Sequence, residues 1–243
     1  TILPAVCKYY KDTKNLTKVC VVGTNIKRKV EAEKKYFELS KKTGVKLPIE
    51  FFPSEKNSSD AYKSIIKKAK PGSSVIIAVP DHLHYKIIKD CLLFNLNVLV
   101  VKPLTPTLSE GKKLVKLIKQ KNLLGIVEFH KRWDKQNRIL RDSFRSGDFG
   151  APLYTWTEYS QRKSIPTKIF SSWVEKNNIL QYLGVHYIDI IRFVTNASPK
   201  RVMAIGQNGW LYSNNVKVHD SIQCIIEWET KDKTKFTQTL LVN

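Results

Sequence analysis

The chain has 243 residues, of which 42% are hydrophobic, enough for one large domain or two small ones with cores of ordinary soluble composition. No apolar run approaches the roughly 18 residues that span a bilayer, and the opening Thr1-Ile2-Leu3-Pro4-Ala5-Val6 lacks the basic n-region of a secretory signal, so a membrane protein and a secreted one are both excluded as expectations. The net charge of +21 is spread along the chain, in clusters such as Lys27-Arg28-Lys29, Lys41-Lys42, Lys67-Lys68 and Lys112-Lys113, rather than gathered on one element among aromatics; this reads as solvated helix faces and not as a nucleic-acid surface, and leaves phosphate-bearing substrates or cofactors open.

The first half alternates strand and helix, as a parallel sheet with crossover helices requires. Strands are expected at 18–23, 48–52, 74–79, 97–101 and 124–129, and helices at 30–42, 59–70, 84–94 and 108–120. Gly44 and Pro71-Gly72 close two of those helices, and Pro80 stops the third strand. After a helix at 138–145 and the turn Gly147-Asp148-Phe149-Gly150, the pattern changes. Strands at 153–161, 201–206, 221–228 and 235–242 are longer and partly alternating, as in an antiparallel sheet, with a helix at 186–194 between them. The expectation is therefore α/β: a Rossmann-like parallel domain over 1–125, then an α+β domain over 126–243 with a mainly antiparallel, open sheet.

A dinucleotide fold opens with a strand and a Gly-x-Gly-x-x-Gly turn, whose glycines let backbone approach the pyrophosphate. None of the ten glycines forms that motif, and Ile2-Leu3-Pro4-Ala5 looks like the helix that follows it. The chain is thus expected to lack its first strand and Gly-rich loop, and to end mid-strand at Leu241-Val242-Asn243. Cys7, Cys20, Cys91 and Cys224 sit in apolar contexts without metal-ligand spacing, which points to a reduced, cytoplasmic protein with no metal site. The sequons at Asn15, Asn57 and Asn196 are read as chance.

Three segments place chemistry-bearing side chains at the ends of buried elements. Pro80-Asp81-His82-Leu83-His84 follows a buried strand, where open parallel sheets bind ligands, although Asp81 can equally be a helix cap. Val101-Lys102-Pro103 sets a lysine at the end of another; it can hydrogen-bond a substrate hydroxyl, or simply snorkel to solvent. Gly184-Val185-His186-Tyr187-Ile188-Asp189 sets a histidine in the first turn of a helix, where it is either a general base or a buried structural residue.

The order of these segments resembles the glucose-fructose oxidoreductase / inositol dehydrogenase (Gfo/Idh/MocA) family, with its Pro-Asn-x-x-His-like turn, Glu-Lys-Pro and Gly-x-His-x-x-Asp helix. Phe129-His130-Lys131-Arg132-Trp133 followed by Ser146-Gly147-Asp148-Phe149-Gly150 resembles the family's domain crossover. The resemblance implies an NAD(P)-dependent oxidoreductase acting on a secondary alcohol or ketone of a sugar, inositol or nucleotide-sugar. Lys102 would bind the reacting hydroxyl and His186 would act as base, with Tyr182 beside them; Asp189 and Trp173 would contact substrate, in a region where 162–173 sets specificity. Thr24, Asn25, Arg28, Val79, Pro80, Asp81, His84, Lys102 and Arg132 would lie along the cofactor.

Two departures stand out. Val101 replaces the glutamate of Glu-Lys-Pro, so a charge is lost, and Tyr182 stands where many members place Asp or Asn, so that it either donates to substrate or fills the pocket. Thr24-Asn25 stands where NAD-preferring members often carry an acid, and Lys27 and Arg28 follow, which favours NADP over NAD. The departures motivate a rival reading, a catalytically degenerate cofactor-binding sensor or assembly protein of the same fold. Charge alone motivates a third, a nucleic-acid binder, with a salt-dependent affinity. The apolar strands from 201 to 242 are expected to form a homodimer or homotetramer through the C-terminal sheet.

Overall fold

The computed structural model describes residues 2–243 and divides into two compact units, Thr1–Ser73 and Ser74–Asn243.

In the first unit α1 (Ile2–Thr13) leads to β1 (Val19–Val22), α2 (Ile26–Thr43), β2 (Ile49–Phe52) and α3 (Ala61–Lys68). β1 and β2 pair in parallel, Val19 beside Ile49 through Val22 beside Phe52. Cys7, Val45 and Leu47 form a small core with Tyr10, Tyr36 and Ile49 packed against it, and the Tyr36 hydroxyl accepts from Leu47 N at 2.6 Å. α2 starts four residues earlier than hydrophobic periodicity suggests. The Asn25 carboxamide oxygen accepts from Lys27 N (2.8 Å) and Arg28 N (3.4 Å), and capping of those amides extends the helix over a polar first turn. Gly44, at φ 68°, ends it.

In the second unit β3 (Ser74–Ile77), β4 (Asn97–Val101) and β5 (Gly125–Glu128) form a parallel sheet in that order, linked by α4 (His84–Leu93) and α5 (Leu108–Lys121). Thr107 caps α5 reciprocally: its hydroxyl accepts from Glu110 N at 3.3 Å and donates to the Glu110 carboxylate at 2.9 Å. After α6 (Lys135–Ser146), β6 (Tyr154–Tyr159), α7 (Val185–Thr195), β7 (Ser198–Gln207), the short α8 (Trp210–Ser213), β8 (Ser221–Glu229) and β9 (Lys235–Val242) complete the chain.

The second sheet has the order β6-β9-β8-β7. β7, β8 and β9 pair antiparallel as their alternation predicts, but β6 runs parallel to β9, with Tyr154 beside Thr237. The chain between β6 and β9 makes the long crossover that parallel pairing needs. One face of this sheet carries α7: Leu183, Ile191 and Ala197 pack on Ile222, Cys224, Ile226, Trp228, Phe236, Leu240 and Val242. Gln238, fully buried in that layer, accepts from the Trp228 indole N–H at 3.2 Å and donates to the Tyr187 carbonyl at 3.4 Å. Among the described residues no helix is long and apolar enough to cross a membrane, and no group of His, Cys, Asp and Glu is placed to hold a metal ion.

Candidate functional site

β4 delivers Lys102. Val98 and Val100 are buried, which anchors the strand, and the next residue after its end must place a long cation at the sheet's carboxyl edge. Lys102, joined to Pro103 by a cis bond, does not snorkel away. Its ammonium donates to the backbone carbonyl of Tyr182 and lies 3.9 Å from the centroid of the Tyr182 ring. Burial pulls this ammonium down from 10.5 to about 8, against the opposing pull of Asp81 and Glu128.

Tyr182 sits in a π-helical turn, Leu180–Gly184, that runs directly into α7. Asn178 opens the turn: its side-chain oxygen accepts from Gln181 N at 2.9 Å, and the Gln181 amide donates to the Pro106 carbonyl at 2.9 Å. Gly184 closes it, because a Cβ there would meet Leu180 Cδ1 at 2.6 Å and Leu240 Cδ2 at 3.4 Å. His186 follows in the first turn of α7, 3% exposed. Its Nδ1 is buried without a hydrogen-bond partner. The His130 ring meets it edge to face at 4.5 Å, with the Phe129 ring at 6.3 Å. Burial, then the positive charges of Lys102, His130 and Lys131, hold the His186 imidazole down at about 3, so it is neutral throughout the physiological range.

One turn further on, Asp189 accepts two hydrogen bonds from Arg132, Nε to Oδ2 at 2.7 Å and a terminal nitrogen to Oδ1 at 2.5 Å. The guanidinium also lies over the Phe129 and Phe193 rings, 5.3 and 5.5 Å from their centroids. The two residues expected on cofactor and substrate respectively are therefore each other's partners.

Asp81 is not a helix cap. No side chain caps α4, and the Asp81 carboxylate instead accepts from the Asn177 side-chain amide. Burial pushes Asp81 up, while His84, Lys102 and Asn177 pull the other way. His84, fully buried, ties two loops together: Nδ1 lies 2.8 Å from the Pro103 carbonyl and Nε2 2.9 Å from that of Val79. Pro80 accepts from Leu83 N at 2.9 Å and begins the 3-10 turn carrying Asp81.

Tyr182 also lines a cavity of about 360 Å³, with Arg162, Phe170, Trp173, Asn177 and His219 among its other walls. Phe170, Trp173 and Tyr182 pack together there with ring centroids 4.7 to 6.0 Å apart. The structure thus gathers Asp81, Lys102, Arg132, Trp173, Tyr182, His186 and Asp189 in the second unit. Thr24, Asn25 and Arg28 belong to the first, at the start of α2, where Asn25 serves as cap and the Thr24 carbonyl accepts from Ser58 N at 2.9 Å.

Residues 5–129 match the family model described as "Oxidoreductase family, NAD-binding Rossmann fold" (GFO_IDH_MocA), and residues 137–240 match the GFO/IDH/MocA C-terminal domain. The chain belongs to the Gfo/Idh/MocA family. Among its Gfo/Idh/MocA relatives, an uncharacterized oxidoreductase of Schizosaccharomyces pombe is 34% identical over 119 residues, 47% of this chain and 31% of its own length. An inositol 2-dehydrogenase of Rubrobacter xylanophilus is 29% identical over 136 residues, 56% of this chain and 38% of its own. The chain spans about a third of the length of these curated relatives. The crystal structure of myo-inositol 2-dehydrogenase from Lactobacillus plantarum shares the fold, with a TM-score of 0.70 at 18% identity, covering 92% of this chain and 60% of that one.

Three residues of this Gfo/Idh/MocA site escape a reading by motif. Asn177 reaches Asp81 across 96 positions. His130 was visible only as part of the crossover, and Glu128 as the end of a strand. The β4–β5 register sets Glu128 beside Val101, the position where the family's motif has its glutamate. A carboxylate is therefore present at that edge of the sheet, on the neighbouring strand.

Proposed function

We propose that this chain belongs to an NAD(P)-dependent oxidoreductase that interconverts a secondary alcohol and ketone on a sugar, inositol or nucleotide-sugar. The carrying observation is the pairing of a buried ammonium at the carboxyl end of β4 with a neutral imidazole whose Nδ1 is buried and unpartnered. An orphaned polar atom in such a place fits a substrate hydroxyl. Relatives named as inositol dehydrogenases support the substrate class.

The nicotinamide, when bound, supplies the hydride acceptor or donor. Val79, Pro80 and Asp81, at the carboxyl end of β3, and Lys102 would hold it. Lys102 orients the substrate oxygen and stabilises developing negative charge on it. His186 takes the hydroxyl proton as the carbinol hydrogen leaves as hydride, and returns it to the oxygen in the reverse direction. The Lys102 ammonium disfavours protonation of His186, which keeps the imidazole a free acceptor before the proton arrives. Trp173 and Tyr182 would face the rest of the substrate, and Asp189, fixed by Arg132, would hold the helix that carries His186. NADP is favoured over NAD, because Lys27 and Arg28 open α2 with no acid in its first turn. Four free cysteines support a reduced, cytoplasmic setting, and the C-terminal sheet supports a homodimer or homotetramer.

Fluorescence titration of the full-length protein with NADPH and NADH in parallel, followed by a polyol and sugar panel, tests this. Micromolar binding of NADPH ahead of NADH and turnover abolished by Lys102→Met are expected. No binding of either dinucleotide by folded protein overturns the reading. Binding without turnover on any substrate favours the rival, a degenerate cofactor-binding protein. One observation supports that rival: the Tyr182 ring and carbonyl already occupy the Lys102 ammonium.

A further inference from the structure

A buried ammonium needs an answering charge, and two carboxylates act on Lys102. Asp81, from the turn after β3, is 5% exposed, is itself pushed toward its neutral form by burial, and is engaged by Asn177. Glu128, from β5, keeps 32% of its side chain in solvent and stands in register beside Val101, immediately before Lys102. The same carboxylate lies 3.3 Å from His130 Nδ1, and the His130 ring packs edge to face on His186 at 4.5 Å. One side chain thus acts on Lys102 through its charge and touches the ring that packs on His186. Among the described residues, His186 from α7 and both the carbonyl and the ring of Tyr182 from the π turn also face Lys102; His186 in turn faces Lys102, His130 and Lys131.

We infer that Glu128 is a positioning residue, which biases Lys102 toward its charged form from the neighbouring strand and holds the His130 ring against His186. The inference rests on the oxidoreductase reading only in taking Lys102 and His186 as the reacting groups. It also explains why Val101 is tolerated: the negative charge comes from β5 instead of β4.

The test separates charge from packing and does not need turnover. In uniformly 13C-labelled protein, the Lys102 Cε–Hε resonance, assigned by its loss in Lys102→Met, is followed against pH. Glu128→Gln keeps the shape and a hydrogen-bond acceptor but removes the charge, so the midpoint near 8 is expected to fall by about one pH unit while ring contacts between His130 and His186 persist. Glu128→Asp is expected to restore most of the midpoint. Glu128→Ala is expected to lower it and also to lose the ring contacts. In turnover, the basic limb of the kcat/KM profile should move with the Lys102 midpoint. A midpoint unmoved in Glu128→Gln, or His130–His186 contacts that survive in Glu128→Ala, overturns the inference. Absence of turnover on every substrate instead counts against the oxidoreductase reading and leaves the titration to decide the role of Glu128.

Discussion

At the scale of single residues the site is held together by charges that burial opposes. Lys102 is drawn from 10.5 to about 8, so between those values the unfolded chain holds a proton that the folded chain has released. Stability therefore rises with pH from about 8 to 10.5, and at neutral pH the ammonium is a net cost. Lys102→Met is expected to stabilise the fold at pH 7 by on the order of 1–2 kcal/mol, while lowering kcat/KM at least about 100-fold. Urea denaturation at pH 7 and at pH 10 checks the first part, since the stability gain should shrink at the higher pH. The Arg132–Asp189 pair behaves oppositely. Asp189 has only 8% of its side chain exposed, so Arg132→Met strands a buried carboxylate and is expected to cost about 2–4 kcal/mol; Arg132 is itself partly exposed, which keeps the loss toward the low end. Adding Asp189→Leu should recover most of that loss, and a double variant as unstable as the single one would show that packing, not charge, is at stake.

At the scale of elements the decisive piece is the π turn that precedes α7, because it sets the Tyr182 carbonyl and the His186 ring on one side of a single short segment. Gly184→Ala would press on Leu180 and Leu240, and the turn would have to give. About 1–2 kcal/mol of stability should be lost, measured by thermal melting, with a fall in kcat out of proportion to that loss. Unchanged kcat would mean that the turn is a spacer only. The same segment shows what sequence can and cannot convey. Pro80, Pro103 and Gly184 punctuate elements locally, so Asp81, Lys102 and His186 could be picked out beside them, and the alternation of β8 and β9 revealed their buried faces. Nothing local announces a π turn in 180–184, since α and π turns share the same apolar spacing over five residues. Strand register is nonlocal too: Glu128 beside Val101 and Tyr154 beside Thr237 depend on pairings that no window contains. Asn25 reads from the sequence only as a cofactor-side residue and not as a cap, because the polar turn it extends carries no periodicity to mark the helix start.

At the scale of the whole molecule an uncovered sheet face and a large net charge pull in opposite directions. α7 covers one face of the C-terminal sheet; on the other, Trp156, Thr239, Ile225 and Met203 form a row in register across all four strands. Trp156, Ile225 and Met203 in that row are 65%, 45% and 61% exposed, and β7 is exposed along its length, an arrangement that favours association over a free monomer. Two copies of a chain at +21 repel one another, and salt weakens that repulsion without weakening apolar contact. Self-association through this face should therefore strengthen as salt rises from about 50 to 500 mM, the reverse of what binding to nucleic acid requires. Light scattering after size exclusion is expected to give a dimer or tetramer at the higher salt, and Ile225→Lys, which plants a cation in the middle of the row, is expected to give monomer with the fold intact by circular dichroism. A monomer at every salt concentration would remove the sheet-mediated assembly. An assembly that instead dissolves as salt rises would point to charged contacts outside this face, because burial of Trp156, Ile225 and Met203 has no term that salt can screen away.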